Sequence, residues 1–186
     1  MRPMRTGRLK DTIMTKRELE TLLLTLESTA ALLARAAAEL AEDRVRQRGT
    51  AGGFSLVEHV WHLADLEREG YGARIRRLLT EEEPRLLNFD GDRVARERVY
   101  HRRDLAEGLL AFTAARTRNL QTLRDLSPDD WKRTGEQEGV GLVALADVPR
   151  MMAEHDRAHG IEIAELVREL RDGIVPRNAR PVSAVA

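Results

Sequence analysis

The run MMAEHDRAHGIEIAELVREL, Met151 to Leu170, decides the fold. Counted at the helical period from a little upstream, Leu145, Val148, Met152, His155, His159, Ile163, Leu166 and Leu170 share one stripe, which predicts an amphipathic helix with that stripe buried. Two imidazoles therefore interrupt an otherwise apolar face. An imidazole buried without a partner is costly. Positions i and i+4 lie ~6 Å apart along the axis, which lets both rings turn toward one ion at nitrogen–metal distances of ~2.0 to 2.1 Å. The pair reads as part of a metal site whose third ligand comes from elsewhere; the plainer reading is two satisfied core histidines.

Outward from this helix, three more segments show the same period. Leu19, Leu22, Leu23, Leu26, Ala30, Leu33, Ala37 and Leu40 predict a first helix from about Lys16 to Asp43. Gly49 to Gly53 breaks the pattern, and Ser55 with Glu58 forms a capping box that opens a second helix to about Leu79. A connection rich in turn residues follows between Pro84 and Asp92, with a short helix around Val94 to Tyr100. Leu105, Leu109, Phe112, Leu120 and Leu123 predict a third helix from about Arg103 to Leu126, with Arg116 on the same face. The fourth runs from near Leu142 to Asp172-Gly173 and is bent at Pro149. No strand-length alternation is visible. The expectation is an all-α four-helix bundle over residues 13–173, with a long crossover between helices two and three, a frayed leader at 1–12 and a disordered tail at 174–186. Met14 is an alternative start to Met1.

The 186 residues suffice for one cored domain, and the absence of cysteine removes disulfides, thiolate ligands and a protein thiol nucleophile. Lys+Arg of 31 against Asp+Glu of 31 gives no pull toward nucleic acid or an anionic membrane. Charges interrupt every hydrophobic run short of the ~20 residues of a span, so a soluble, cytoplasmic protein is expected. A small-molecule ligand fits this balance better than a nucleic acid.

For the third ligand the second helix offers His59 and His62, and the helical wheel does not choose between them. The run Ser55-x-x-Glu58-x-x-x-His62-Leu63-Ala64-Asp65 followed far downstream by Glu154-His155-Asp156-x-x-His159 resembles the DinB-like superfamily that includes the YfiT proteins. Phe89-Asp90, Glu97, Tyr100, Arg103-Asp104-Leu105, Arg116, Pro128-x-Asp130-Trp131, Arg133 and Gly135 are similar to its DinB-2 branch. That resemblance implies a four-helix bundle, often a homodimer, holding a divalent metal on three histidines, which fall on His62, His155 and His159. His59 is then a neighbour of the ligands or a packed ring. The family commonly carries another His before the last helix, where this chain has Gln137.

Three neutral imidazoles on zinc or nickel leave a coordination position open, an enzyme's arrangement more than a structural one. The resemblance implies either a transferase or isomerase using a low-molecular-weight thiol, or a hydrolase; the alternative is a non-catalytic metal-binding dimer acting through its surface. The string His155-Asp156-x-x-His159 is similar to the HExxH of zinc peptidases with a shorter acid, so Asp156 is read as facing solvent or capping an Arg. Glu162 and Glu58 are candidates to orient His159 and His62. Arg116 either pairs with an acid such as Glu67 or clamps a substrate carboxylate. Trp61 and Trp131 are read as packing, and Glu81-Glu82-Glu83 as a solvated helix end.

Overall fold

The computed structural model describes residues 15–173; the expected leader and tail, and the choice between Met1 and Met14, lie outside them. The described residues are 69% helical and form a bundle of four long helical segments. α1 (Lys16–Glu39) starts at a Thr15/Glu18 capping box and stops before the expected Asp43. The Ser55/Glu58 box opens α2 (Leu56–Asp65) as expected. That helix continues through a π turn (Leu66–Tyr71) into α3 (Gly72–Thr80). The crossover holds β1 (Arg85–Leu86) and α4 (Gly91–Glu97), and Asp104 then caps α5 (Leu105–Arg124). The last helix is α6 (Val148–Arg171), ending at Gly173 in the left-handed region, φ 72.

Two expectations are corrected. The last helix does not begin near Leu142, and Pro149 does not bend it: Pro149 sits in the first turn of α6, where its missing N–H and fixed φ are favourable. The residues before it form a small sheet where no strand was expected. β2 (Thr134–Gln137) pairs antiparallel with β3 (Gly141–Ala144) and parallel with β1. These strands of two to four residues are too short to show alternation, and Gly139 supplies the positive φ of 72° that turns the hairpin.

The core has two apolar halves. Leu33, Ala36, Val60, Trp61, Phe112, Ile163 and Leu166 belong to one; Leu23, Leu26, Leu66, Ile75, Leu120, Val148 and Met152 belong to the other. Each long helix passes from one half to the other through a polar residue: Thr29, Glu67, Arg116 and Asp156. These four meet. Arg116 NH1 donates to Asp156 Oδ2 at 2.6 Å, and NH2 to Glu67 Oε2 at 2.9 Å. Thr29 Oγ1 donates to Asp156 Oδ2 at 2.7 Å. Asn119 donates to both the carbonyl and the carboxylate of Glu67, at 2.8 and 2.9 Å. The π turn shapes this layer, since the Gly72 N–H bonds to Glu67 O, five residues back. The histidines of α6 stand at the same level.

A second buried hub fixes the crossover over the bundle. Asp65 is fully buried; its Oδ2 accepts from Tyr100 OH at 2.6 Å and pairs with Arg98 NH1 at 2.6 Å, while Oδ1 takes Arg68 at 2.8 Å. Val99, between Arg98 and Tyr100, is left-handed at φ 52, a conformation β-branched residues avoid, at a cost of about 1–3 kcal/mol. An 18-residue window of α1 has mean hydropathy 1.3, so the leucines and alanines read as core formers also give this helix the length and composition of a span. Its Leu23, Leu26 and Leu33 are buried in the bundle.

Candidate metal centre

α2 and α6 place three imidazoles together. The ring centroids of His62 and His155 are 5.5 Å apart, those of His62 and His159 4.8 Å, and those of His155 and His159 4.4 Å. One nitrogen from each lies within 4.8 Å of the other two. Tetrahedral coordination with ~2.0–2.1 Å bonds sets ligand nitrogens about 3.3 Å apart, so modest side-chain rotation closes the gap. The Nδ1 atoms of His62 and His155 are buried with no protein partner among the described residues. Three imidazoles that each bring one nitrogen to a common point, two of them with a ring nitrogen left unpaired, fit a divalent ion.

His159 also uses its other side. Its Nδ1 lies 3.0 Å from Glu162 Oε2 and 3.1 Å from His59 Nδ1. With Nδ1 protonated, His159 would donate to this carboxylate and leave Nε2 free. His59 is buried and packs edge-on against Phe54. It belongs to a second possible ligand group with His159 and Glu162.

Burial lowers the ring pKa values of His59 and His62 to about 3 and that of His155 to about 4, and the neighbouring imidazoles add to the shift. His159 is lowered by burial too, against the opposing pull of Glu162 and Asp156. Burial thus favours the neutral imidazole, the form that ligates a metal. Beside them a cleft of about 270 Å3 is lined by Phe54, His59, Asp92, His159, Glu162 and Glu165, among others.

The remaining expected site residues are engaged elsewhere. Glu58 does not orient His62: its Oε2 accepts from Arg48 Nε at 3.0 Å and from the Ser55 amide at 2.8 Å. Burial would raise its carboxyl, but these hydrogen bonds outweigh burial and hold it below the usual carboxylate range. Arg116 pairs with Glu67, the first of its two expected roles, and with Asp156; its NH1 also donates to Leu26 O at 2.8 Å. Both terminal nitrogens are thereby engaged, and the remaining Nε is enclosed in the core, out of reach of a substrate carboxylate. Asp156 caps this arginine and is buried, not solvent-facing.

Three residues near the rings were not found from the sequence. Gly91, at the start of α4, lies so close to His62 that an added Cβ would sit 2.4 Å from Cε1. Tyr71 stands edge-on to His155 at 6.2 Å and donates from its OH to Met151 O at 3.1 Å. Arg74 lies over Tyr71, its guanidinium carbon 5.4 Å from the ring centre. Only Gly91 carried a signal, as a glycine at a helix start; the other two are brought in by the π turn.

Comparison with known proteins adds lineage to this geometry. Residues 25–163 match the family model described as the DinB superfamily. The chain belongs to the DinB superfamily. Among its relatives, the Oceanobacillus iheyensis protein named "Putative metal-dependent hydrolase OB0782" is 26% identical over 143 residues, 77% of this chain and 82% of that one. A Bacillus licheniformis protein carrying the same description is 40% identical over 75 residues, 40% of this chain and 42% of its own. In fold, the chain is similar to YfiT from Bacillus subtilis, described as "a probable metal-dependent hydrolase with an unusual four-helix bundle topology". The TM-score is 0.77 at 22% identity, covering 91% of this chain and 93% of YfiT. The four-helix architecture expected from the sequence is therefore also that of a solved relative.

Proposed function

We propose that the protein is a metal-dependent hydrolase acting on a small molecule, with a divalent ion held by His62, His155 and His159. The observation that carries this reading is the convergence of three imidazole rings from α2 and α6, two of them with buried, unpartnered nitrogens. The relatives named as metal-dependent hydrolases support the reaction class. When bound, a divalent ion on three imidazoles keeps an open position and its full charge, with which it acidifies a water to pKa ~7 or polarises a substrate oxygen.

The chain's own groups prepare that position. Glu162 holds the proton on His159 Nδ1, and His59 stands beside the same nitrogen at 3.1 Å. Thr29, Glu67 and Arg116 hold Asp156, and with it the turn of α6 that carries His155. The crossover, pinned by Asp65, walls His62 through Gly91. The cleft beside His59 and His159 gives a small substrate access. Zinc or nickel is the metal of this reading, and a cytoplasmic homodimer its setting. A low-molecular-weight thiol enters only if the reaction is a transfer.

The test is a screen of zinc- and nickel-loaded protein against small-molecule esters and amides, with parallel reactions containing glutathione, bacillithiol or mycothiol. Thiol-independent hydrolysis abolished by chelation and by His155→Ala supports the proposal. Turnover only with a thiol moves the reaction class to transfer, and a metal-loaded protein inert to both panels leaves the non-catalytic alternative.

A further inference from the structure

Arg74 and Arg116 are the two buried arginines among the described residues, 8% and 3% exposed, and their surroundings are opposite. Arg116 meets two carboxylates and a backbone carbonyl. No carboxylate, carbonyl or side-chain oxygen among the described residues accepts a hydrogen bond from Arg74; its Nε, like that of Arg116, is fully enclosed without a partner, and its two terminal nitrogens, unlike those of Arg116, meet no protein acceptor. Its one charge-related contact is the face of Tyr71, at 5.4 Å from the ring centre. A cation–π contact of this kind compensates only a small part of desolvating a guanidinium. Burial alone accordingly pulls the Arg74 pKa below the usual arginine value.

A buried positive charge without a counterion is costly in the free protein and persists where something outside the chain completes it. Its placement says where the complement would lie. Tyr71, under Arg74, also meets His155 edge-on and is anchored to α6 through Met151 O, so Arg74 stands on the His155 side of the three rings. The acidic cleft of Asp92, Glu162 and Glu165 opens on the other side, at His59 and His159. The guanidinium fork is suited to bidentate pairing with an oxyanion, where a point charge is not.

We infer that Arg74 binds an oxyanion group of the substrate, a carboxylate or a phosphate, beside the three-histidine centre. This deepens the proposed function and rests on it for the word substrate; the anion site itself requires no metal. The substrate class is then a small anionic molecule whose scissile group reaches the rings while its charge pairs with Arg74. Substrates lacking that charge lose binding and positioning together.

The experiment uses the full chain, freed of metal and labelled with 15N-arginine, titrated separately with malonate and with inorganic phosphate in chloride-free buffer. One Arg Nε–H resonance, absent in Arg74→Lys, shifts saturably with at least one titrant, and the titrant that acts separates carboxylate from phosphate. Arg74→Met weakens that binding at least tenfold. It also raises Tm by about 2–4 °C, the shift expected in a chain of this size for ~1 kcal/mol, because an uncompensated buried charge is gone. Unshifted resonances with both anions, undiminished binding in Arg74→Met, or a lower Tm with anion binding intact would overturn the inference. Zinc titration of the same samples separates the two readings. Anion binding without zinc binding sinks the metal centre and spares Arg74, and zinc binding without anion binding does the reverse.

Discussion

Gly91→Ala weakens the metal centre without removing any ligand. The new Cβ would lie 2.4 Å from His62 Cε1 and 2.6 Å from its Nδ1. Carbon contacts settle at ~3.5–4.0 Å, so the ring must retreat by about 1 Å. Metal–nitrogen bonds tolerate only ~0.2 Å of displacement. Gly91 lies within α4 and is not among the positive-φ glycines, so alanine adds no backbone strain there. Overpacking of this kind costs about 1–3 kcal/mol; charged to the loaded state, that is a roughly 5- to 150-fold rise in metal Kd. Gly160→Ala is the control: next to His159 in sequence, its Cβ would meet Leu32 Cδ1 at an ordinary 3.5 Å, and it should stabilise α6 by up to ~1 kcal/mol. Calorimetric zinc titrations against a competing chelator measure both variants. Wild-type zinc affinity in Gly91→Ala, with the fold intact by circular dichroism, would refute the placement of His62 at the metal.

Other consequences follow from the two buried hubs and the imidazoles. Arg116→Met strands Glu67 and Asp156 in the core and lowers stability by about 3–5 kcal/mol, read as the urea midpoint. Asp65→Asn removes the charge that Arg98, Arg68 and Tyr100 share; it costs ~2 kcal/mol or more and makes the crossover amides exchange faster with deuterium. Metal-free protein loses stability in mild acid. The ring pKa values of His59, His62 and His155 fall from an ordinary 6.5 to about 3, 3 and 4 on folding, so the unfolded chain takes up protons first. Their contribution is complete above pH ~6.5 and is lost as pH falls toward 3–4, at about 1.4 kcal/mol per pH unit for each ring. A urea midpoint unchanged between pH 7 and pH 5 would contradict their burial as neutral groups.

Much of this was legible because it is local. The Ser55/Glu58 box and the stripe from Leu145 to Leu170 are short-range patterns, and each became the element it predicted, the stripe with a later start. His155 and His159 announced themselves by interrupting that stripe. His62 did not: the wheel left it level with His59, and the resemblance chose it. What failed is non-local or depends on an irregularity. The π turn at Leu66–Tyr71 inserts a residue into the helical phase and so shifts which residues downstream face the core, Arg74 among them. Gly91 and Tyr100 act across the crossover, and periodicity is silent about what a crossover touches. The strands escaped because four residues cannot display an alternation, and Pro149 was read as a kink because the helix start was placed too early.

The central claim is a cation shared by three specific rings, and X-ray absorption at the metal edge of untagged, zinc- or nickel-loaded protein tests it most directly. The account predicts one ion per chain with three imidazoles in its inner shell, three still present in His59→Ala, and fewer in each of His62→Ala, His155→Ala and His159→Ala. An ion whose imidazole count is unchanged by His62→Ala, or a protein that retains no ion, would contradict it.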